Sequence, residues 1–287
     1  MTQTFLLRRL GVVGLGLVFL AALVGCQKGD KVEQRSAGEA MGTTWSLRYS
    51  GDKIGGVEMR IAARLNELED IFSTWREDSL VSRWNRGEIV SGLPEEYWEV
   101  AAIADEVKEK SNGAFDVEVG KSVAAAGFGS EFSGTLDFSG IAKGFALDEI
   151  EDVLQAAGVE AFLFELGGEL LARGERDWRV GLESPEPGSV GEVRRVITLR
   201  DAAVATSGTY RLFRGDANHL IDPRTRKPVA HDCVSVSVVA ATCAEADAWA
   251  TALMVLGADE GSVLAEQVGV RAFFVRKTPD DGFIELE

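Results

Sequence analysis

Apolar residues along the chain fall into helical and extended spacings that come in unequal blocks. Residues 44–49 suit a strand, after which Ile61, Leu65, Leu68 and Phe72 recur on one helical face. A second helix follows Pro94, where Val100, Ile103, Ala104 and Val107 keep the same spacing. Beyond a glycine-rich middle, a helix is expected over 143–157. Strands then dominate, at 161–166, 178–182, 195–199 and 234–239, before helices at 243–256 and 259–268 and a last strand at 270–275. Blocks of helices and strands without strict alternation predict an α+β fold, a largely antiparallel sheet with packed helices, in one domain over 41–287.

The first residues follow another pattern. Arg8 and Arg9 precede an uncharged apolar run from Leu10 to Val24, short for a membrane-spanning helix and suited to a signal-peptide core. It ends in Leu23-Val24-Gly25-Cys26, which resembles a bacterial lipobox. The expectation is a lipoprotein signal peptide over 1–25, lipidation at Cys26 and a polar tether over 26–40, with an ordinary secretory signal or an uncleaved anchor as alternatives. The domain is then expected on the outer side of the cytoplasmic membrane, facing the periplasm, lipid-anchored to the inner or outer membrane.

Charge narrows the choice of ligand. The chain has 30 Lys and Arg against 46 Asp and Glu, a formal net charge of −16, and only two His. A nucleic-acid partner, which needs a basic face, is excluded. Glycine is abundant, 32 residues against six prolines, which favours tight turns and close backbone approaches over flexible linkers. Three cysteines are too few and too scattered for a disulfide framework or a thiolate zinc site. Whether Cys233 and Cys243 pair is left open.

Four stretches carry candidate chemistry. Asn112-Gly113-Ala114-Phe115-Asp116 follows a helix, where a glycine cap allows a sharp turn; by itself this is also an ordinary helix stop. The run from Leu136 to Phe145 turns a strand end into a helix. Gly140 there leaves a carbonyl exposed, Lys143 lies in the first turn, and the helix N-terminal amides face any anion, although Walker and dinucleotide-loop spacings are absent. Asp247 and Thr251, four apart, put a carboxylate and a hydroxyl on one helical face, a hard-oxygen pair suited to Mg²⁺ or Ca²⁺, or else a solvated Asp near a helix start. Last, the residues from Ala205 to Arg211 and from Asn218 to Thr225 offer hydroxyls, His219 and two arginines. A serine hydrolase is disfavoured because Gly-x-Ser-x-Gly is absent around Ser207, and His231, beside Asp232, reads as a surface loop residue.

Each of these is weak alone, but together with others they form an ordered set: Met41-Gly42-Thr43, Phe72-Ser73-Thr74-Trp75 with Ser82-Arg83-Trp84-Asn85, Gly113 to Asp116, Asp137 to Gly144, Gly167-Gly168-Glu169, Ala205 to Arg211, His219 to Arg224, and Glu245 to Thr251. This order resembles the ApbE family of FAD:protein FMN transferases over nearly all of 38–287. The resemblance implies a lipoprotein enzyme that binds FAD with Mg²⁺ and moves its FMN half onto a Thr or Ser hydroxyl of a partner flavoprotein, releasing AMP. It implies FAD contacts at Met41, Trp75, Ala114, Phe115, Asp116, Asp137, Lys143 and Ile221. Metal ligands are implied at Asp247 and Thr251 through side chains and at Gly140 through its carbonyl, with a backbone oxygen of Ala250 as an addition. His219 is the candidate base, since imidazole titrates near neutrality; Asp247 is a second catalytic candidate, weakened as a base by its metal role. Implied acceptors are subunits of the sodium-pumping NADH:quinone reductase, of the Rnf complex, or other flavoproteins of the envelope. The chain departs from the pattern in a short 129–136 segment, in Glu118 and in Lys121. Two other readings of the same site are a metal-dependent FAD pyrophosphatase and a non-catalytic flavin-binding lipoprotein.

Overall fold

Alternation of side chains along the strands builds a sheet with a different partner on each face. A computed structural model describes residues 32–287 apart from 89–90, 187, 190, 211–212, 215–216 and 281. The expected signal peptide, Cys26, the start of the tether and Arg211 therefore lie outside the described residues.

In chain order the elements are β1 (Glu33–Ala40), β2 (Thr43–Ser50), α1 (Val57–Phe72), α2 (Leu80–Asn85), α3 (Glu95–Lys110), α4 (Gly120–Ala125) and α5 (Ala142–Ala156). There follow β3 (Phe162–Leu166), β4 (Glu169–Arg173), β5 (Trp178–Glu183), β6 (Val193–Leu199), β7 (Ala202–Gly208), and the two-residue strands β8 (Phe213–Arg214), β9 (Ala217–Asn218), β10 (Ile221–Asp222) and β11 (Lys227–Pro228). The chain closes with β12 (Cys233–Ala240), α6 (Cys243–Val268), β13 (Arg271–Lys277) and β14 (Phe283–Leu286). Eight strands form the main sheet in the order β1-β2-β3-β4-β7-β12-β13-β14. Every pair of neighbours in it runs antiparallel, as the sequence predicts.

On one face Phe162, Phe164, Ala203, Ala205 and Phe274 meet the helices, including the buried stripe Ile61, Leu65, Leu68 and Phe72 of α1. The intervening residues Leu163, Val204 and Phe273 point the other way, onto the β5–β6 ribbon with Trp178, Val180, Leu182 and Ile197. Helices, sheet and ribbon thus make three layers, each held by the burial of apolar area.

One expected feature changes. Residues 33–40, expected as part of a polar tether, form β1 instead, pairing residue by residue with β2. This strand, Glu-Gln-Arg-Ser-Ala-Gly-Glu-Ala, has no large apolar side chain to mark it, and its contribution is backbone pairing. Gly38, opposite Trp45, leaves the space its indole fills; a Cβ there would lie 2.7 Å from the ring. The helices expected at 243–256 and 259–268 are found as the two halves of α6, separated by a break at Gly257 (φ 78°, ψ 176°). His231, exposed as expected, still braces that break, its Nε2 lying 2.9 Å from the carbonyl oxygen of Met254. Cys233 and Cys243 are both buried free thiols.

Glu33 ties the start of β1 to its neighbours. Its carboxylate meets Arg48 at 3.1 Å, Arg176 at 2.9 Å and Arg35 at 2.8 Å. Partial burial pushes the carboxyl up, but the three guanidiniums outweigh it and hold it down at about 2, against an ordinary 4.5. The native chain therefore binds this proton less readily than the unfolded chain does. The resulting stability is present above about 4.5 and is lost as pH falls towards 2. Glu33→Gln is expected to lower stability by about 1 kcal/mol at neutral pH, after discounting for solvent screening. Urea unfolding across pH checks this: the deficit of the variant should shrink through that acid window, and a constant deficit would contradict it.

Candidate active site

The site begins where α5 and α6 cross. Gly144 allows the approach, since a Cβ there would lie 2.3 Å from the carbonyl oxygen of Cys243. Its amide donates to Asp247 Oδ2 at 3.0 Å. One turn further along α5, Asp148 accepts the amides of Cys243 and Ala244, both at 2.8 Å, and so closes the N-terminus of α6. Burial pushes the Asp148 carboxyl up to about 6 despite these two amides. Helix order and site geometry are thereby one structure: Asp247 and Thr251 are carried by α6, and Gly140 and Lys143 by the loop and first turn of α5.

The loop into α5 is anchored from α2. Asn85 donates from Nδ2 to the Leu136 carbonyl at 2.9 Å and accepts the Leu136 amide at 2.8 Å. Asp137 then accepts the amide of Ser139 at 2.9 Å, turning the chain towards Gly140. Gly140 lies against Thr251, so that a Cβ would be 3.0 Å from Thr251 Oγ1, and that hydroxyl is 3.2 Å from Ser207 Oγ at the end of β7. Ser207 is therefore a hydroxyl partner on a strand and not a nucleophile on a strand-to-helix elbow.

Two cavities meet here, of about 570 and 370 Å³, with Asp137, Ser139 and Lys143 in both linings. The larger is also lined by Ala114, Phe115, Asp116, His219, Ile221 and Thr251. Asn112 (φ 52°) and Gly113 (φ 79°) turn the chain after α3 to place Ala114 and Phe115 in its wall. Asp116 pairs with Lys108 at 2.9 Å. The smaller cavity takes Met41 and Trp75. Met41 sits in the β1–β2 turn at φ 51°, and Trp75 is 64% exposed, an aromatic face open at the rim. Of the expected site residues, Ala250 alone lines neither cavity. It is fully buried inside α6, where a carbonyl is committed to the amide four residues on.

Lys143 is the electrostatic centre. Its Nζ lies 2.6 Å from Glu169 Oε1 and 3.8 Å from Asp247 Oδ2. Burial opposes its charge, but Asp247 and Glu169 together raise its proton affinity above the usual lysine range. Burial raises the Glu169 carboxyl in turn, against the pull of Lys143. Glu169, the first residue of β4, is placed by the Gly167-Gly168 turn (φ 63° and 111°) of the β3–β4 hairpin. In the sequence its role is marked only by a lone carboxylate after two glycines at the head of an apolar strand. The roles of Asn85 and Ser207 in holding Leu136 and Thr251 are equally invisible in the sequence, since these partners are remote along the chain.

The donor set fits a divalent cation. Among the described residues no group of three or more His, Cys, Asp or Glu forms a ready metal cluster. The fit rests instead on hard oxygens, the Asp247 carboxylate, the Thr251 hydroxyl and the neighbouring Gly140 loop, beside one further carboxylate, Glu169, that shares the Lys143 ammonium with Asp247.

The α+β domain thus has a polar wall between two cavities, room for a large ligand with a charged centre. Comparison with known proteins identifies the family. The sequence pattern of the ApbE family matches residues 41–134 and 130–274, the two segments overlapping within the short 129–136 region. FAD:protein FMN transferase of Vibrio cholerae is 32% identical, covering 94% of this chain and 95% of that protein. The Haemophilus influenzae enzyme of the same name is 29% identical, covering 96% and 94%. Among solved structures, flavin transferase ApbE from Vibrio cholerae superposes with a TM-score of 0.75 at 30% identity, covering 89% of this chain and 97% of that one. The apo form of flavinyl transferase ApbE from Pseudomonas stutzeri gives 0.78 at 29% identity, covering 90% and 95%. The chain belongs to the ApbE family.

Gly144→Ala is expected to force α5 and α6 apart and to lower stability by about 1–3 kcal/mol, the usual effect of overpacking a close contact. Denaturant unfolding measures it. A variant as stable as the parent would show that the crossing is not limiting.

Proposed function

We propose that this chain, like its relatives, is a FAD:protein FMN transferase that moves FMN from FAD onto a Thr or Ser hydroxyl of an acceptor flavoprotein and releases AMP. The observation that carries this reading is the wall shared by the two cavities. A dinucleotide has two bulky halves about a charged centre, and here two cavities flank Lys143, Asp137 and Ser139. Trp75 offers a face for stacking in one cavity, and Ala114, Phe115 and Ile221 are the apolar wall of the other.

In the reaction the acceptor oxygen bonds to the FMN phosphorus and the bond from that phosphorus to the bridging oxygen breaks, so AMP leaves with the bridging oxygen. His219, half-buried in the larger cavity, takes the hydroxyl proton. Lys143 supplies positive charge to the pyrophosphate. Asp247, Thr251 and the Gly140 carbonyl would hold Mg²⁺, with Ca²⁺ as the alternative hard cation. When bound, that cation neutralises phosphate charge as a Lewis acid. Lipidation at Cys26 would keep the domain at the membrane facing the periplasm, near envelope acceptors such as subunits of the sodium-pumping NADH:quinone reductase or the Rnf complex; loss of lipid labelling in Cys26→Ser tests this.

Incubation with FAD, Mg²⁺ and a candidate acceptor, followed by mass spectrometry of the acceptor, tests the reaction. Covalent FMN on the acceptor is the expected result. Free FMN and AMP without modification would replace transfer by pyrophosphatase action, and intact bound FAD would replace it by flavin binding. Asp247→Ala and EDTA are each expected to abolish transfer, and full Mg²⁺-dependent activity in that variant would sink the metal assignment. His219→Ala should slow transfer by about 10²–10⁴-fold, the usual contribution of a positioned base. An unchanged rate across pH would remove His219 from that role.

A further inference from the structure

Among the described residues, one carboxylate oxygen is buried without a hydrogen-bond partner, Oε2 of Glu169. Glu169 is 4% exposed and heads a strand otherwise made of Leu170, Leu171, Ala172 and Arg173. A buried carboxylate with one lone oxygen is destabilising, so packing does not explain it. Its other oxygen has a specific task, since Oε1 accepts from Lys143 Nζ at 2.6 Å.

Lys143 has a second carboxylate beside it. Asp247 Oδ2 is 3.8 Å from the same Nζ, on the residue expected to bind a cation. A lysine ammonium is a compact charge on a flexible stem and turns readily to the stronger acceptor. With Glu169 ionised, the ammonium is held on the β4 side, nearer Glu169 Oε1 than Asp247 Oδ2. Without that charge, Asp247 is the remaining carboxylate paired with Lys143. The ammonium would then act as an internal cation at Asp247, in competition with any external one.

We propose that Glu169 is a positioning residue: by holding Lys143 away from Asp247, it sets how tightly the cleft binds a divalent cation. This rests on the reading of Asp247 as a metal ligand.

Mn²⁺ binding to the FAD-free protein, followed by electron paramagnetic resonance of the free ion, tests it without recourse to activity. Glu169→Gln is expected to weaken Mn²⁺ binding by about tenfold or more, as losses of an outer partner typically do. Adding Lys143→Met to that variant should return affinity towards the wild-type value, because the competing ammonium is gone. Glu165→Gln removes another cavity carboxylate, one bonded to the Ser46 hydroxyl and the Gly168 amide and not to Lys143, and should change affinity little. Equal losses in Glu165→Gln and Glu169→Gln would assign the effect to net charge and overturn the proposal. Unchanged affinity in Glu169→Gln, or no recovery in the double variant, would also overturn it. Wild-type binding no tighter than that of Asp247→Ala would instead remove the metal reading beneath it. Circular dichroism of each variant separates loss of the site from loss of the fold.

Discussion

The close crossing of α5 and α6 governs both the core and the cleft. It depends on a residue without a side chain at Gly144 and on two carboxylates that accept backbone amides across the contact. Asp247 takes the Gly144 amide, and Asp148 takes those of Cys243 and Ala244. These hydrogen bonds lock the helices in one register, because each acceptor has a fixed place along its helix. Moving one helix along the other by a residue would bury unpaired polar groups and separate Lys143 from Asp247 at once. Stability and site geometry therefore come from the same few contacts.

The acidic character of the chain and an anionic substrate are compatible for a local reason. At the cleft two buried carboxylates face one ammonium, so the site favours an added cation over a bare phosphate. The charge that matters is set within a few ångströms of Lys143, where burial strengthens each interaction. A formal net charge of −16 describes the solvated surface and rules on nucleic acid, whose recognition needs an extended basic face. It does not decide how a single nucleotide is held.

The sheet supports this arrangement from behind. Its helix-facing side carries the large aromatic core, while its other side is closed by the β5–β6 ribbon, leaving the β3–β4 turn and the end of β7 to deliver Glu169 and Ser207 to the cleft. Glycines act where a side chain would collide or the backbone must take a positive φ. Gly140 lets the loop meet Thr251, and Gly167 and Gly168 turn the hairpin before Glu169.

Amphipathic spacing determined the helices α1 and α3, because burial of one face is written in the order of side chains, and the unequal blocks of helices and strands determined the antiparallel character of the sheet. The ordered short motifs likewise carried the family, and with it most of the cleft residues. Strand β1 was illegible, since a polar edge strand is specified by backbone pairing with β2 and not by an apolar pattern. Glu169 and Asn85 were illegible as site residues for a related reason. Their partners Lys143 and Leu136 are 26 and 51 positions away, and a hydrogen bond between remote residues leaves no spacing to read. The residue types of the site thus followed from local sequence, whereas the ranking of Glu169 over Asp247 as the partner of Lys143 was decided by distances that exist only once the hairpin and the two helices have packed.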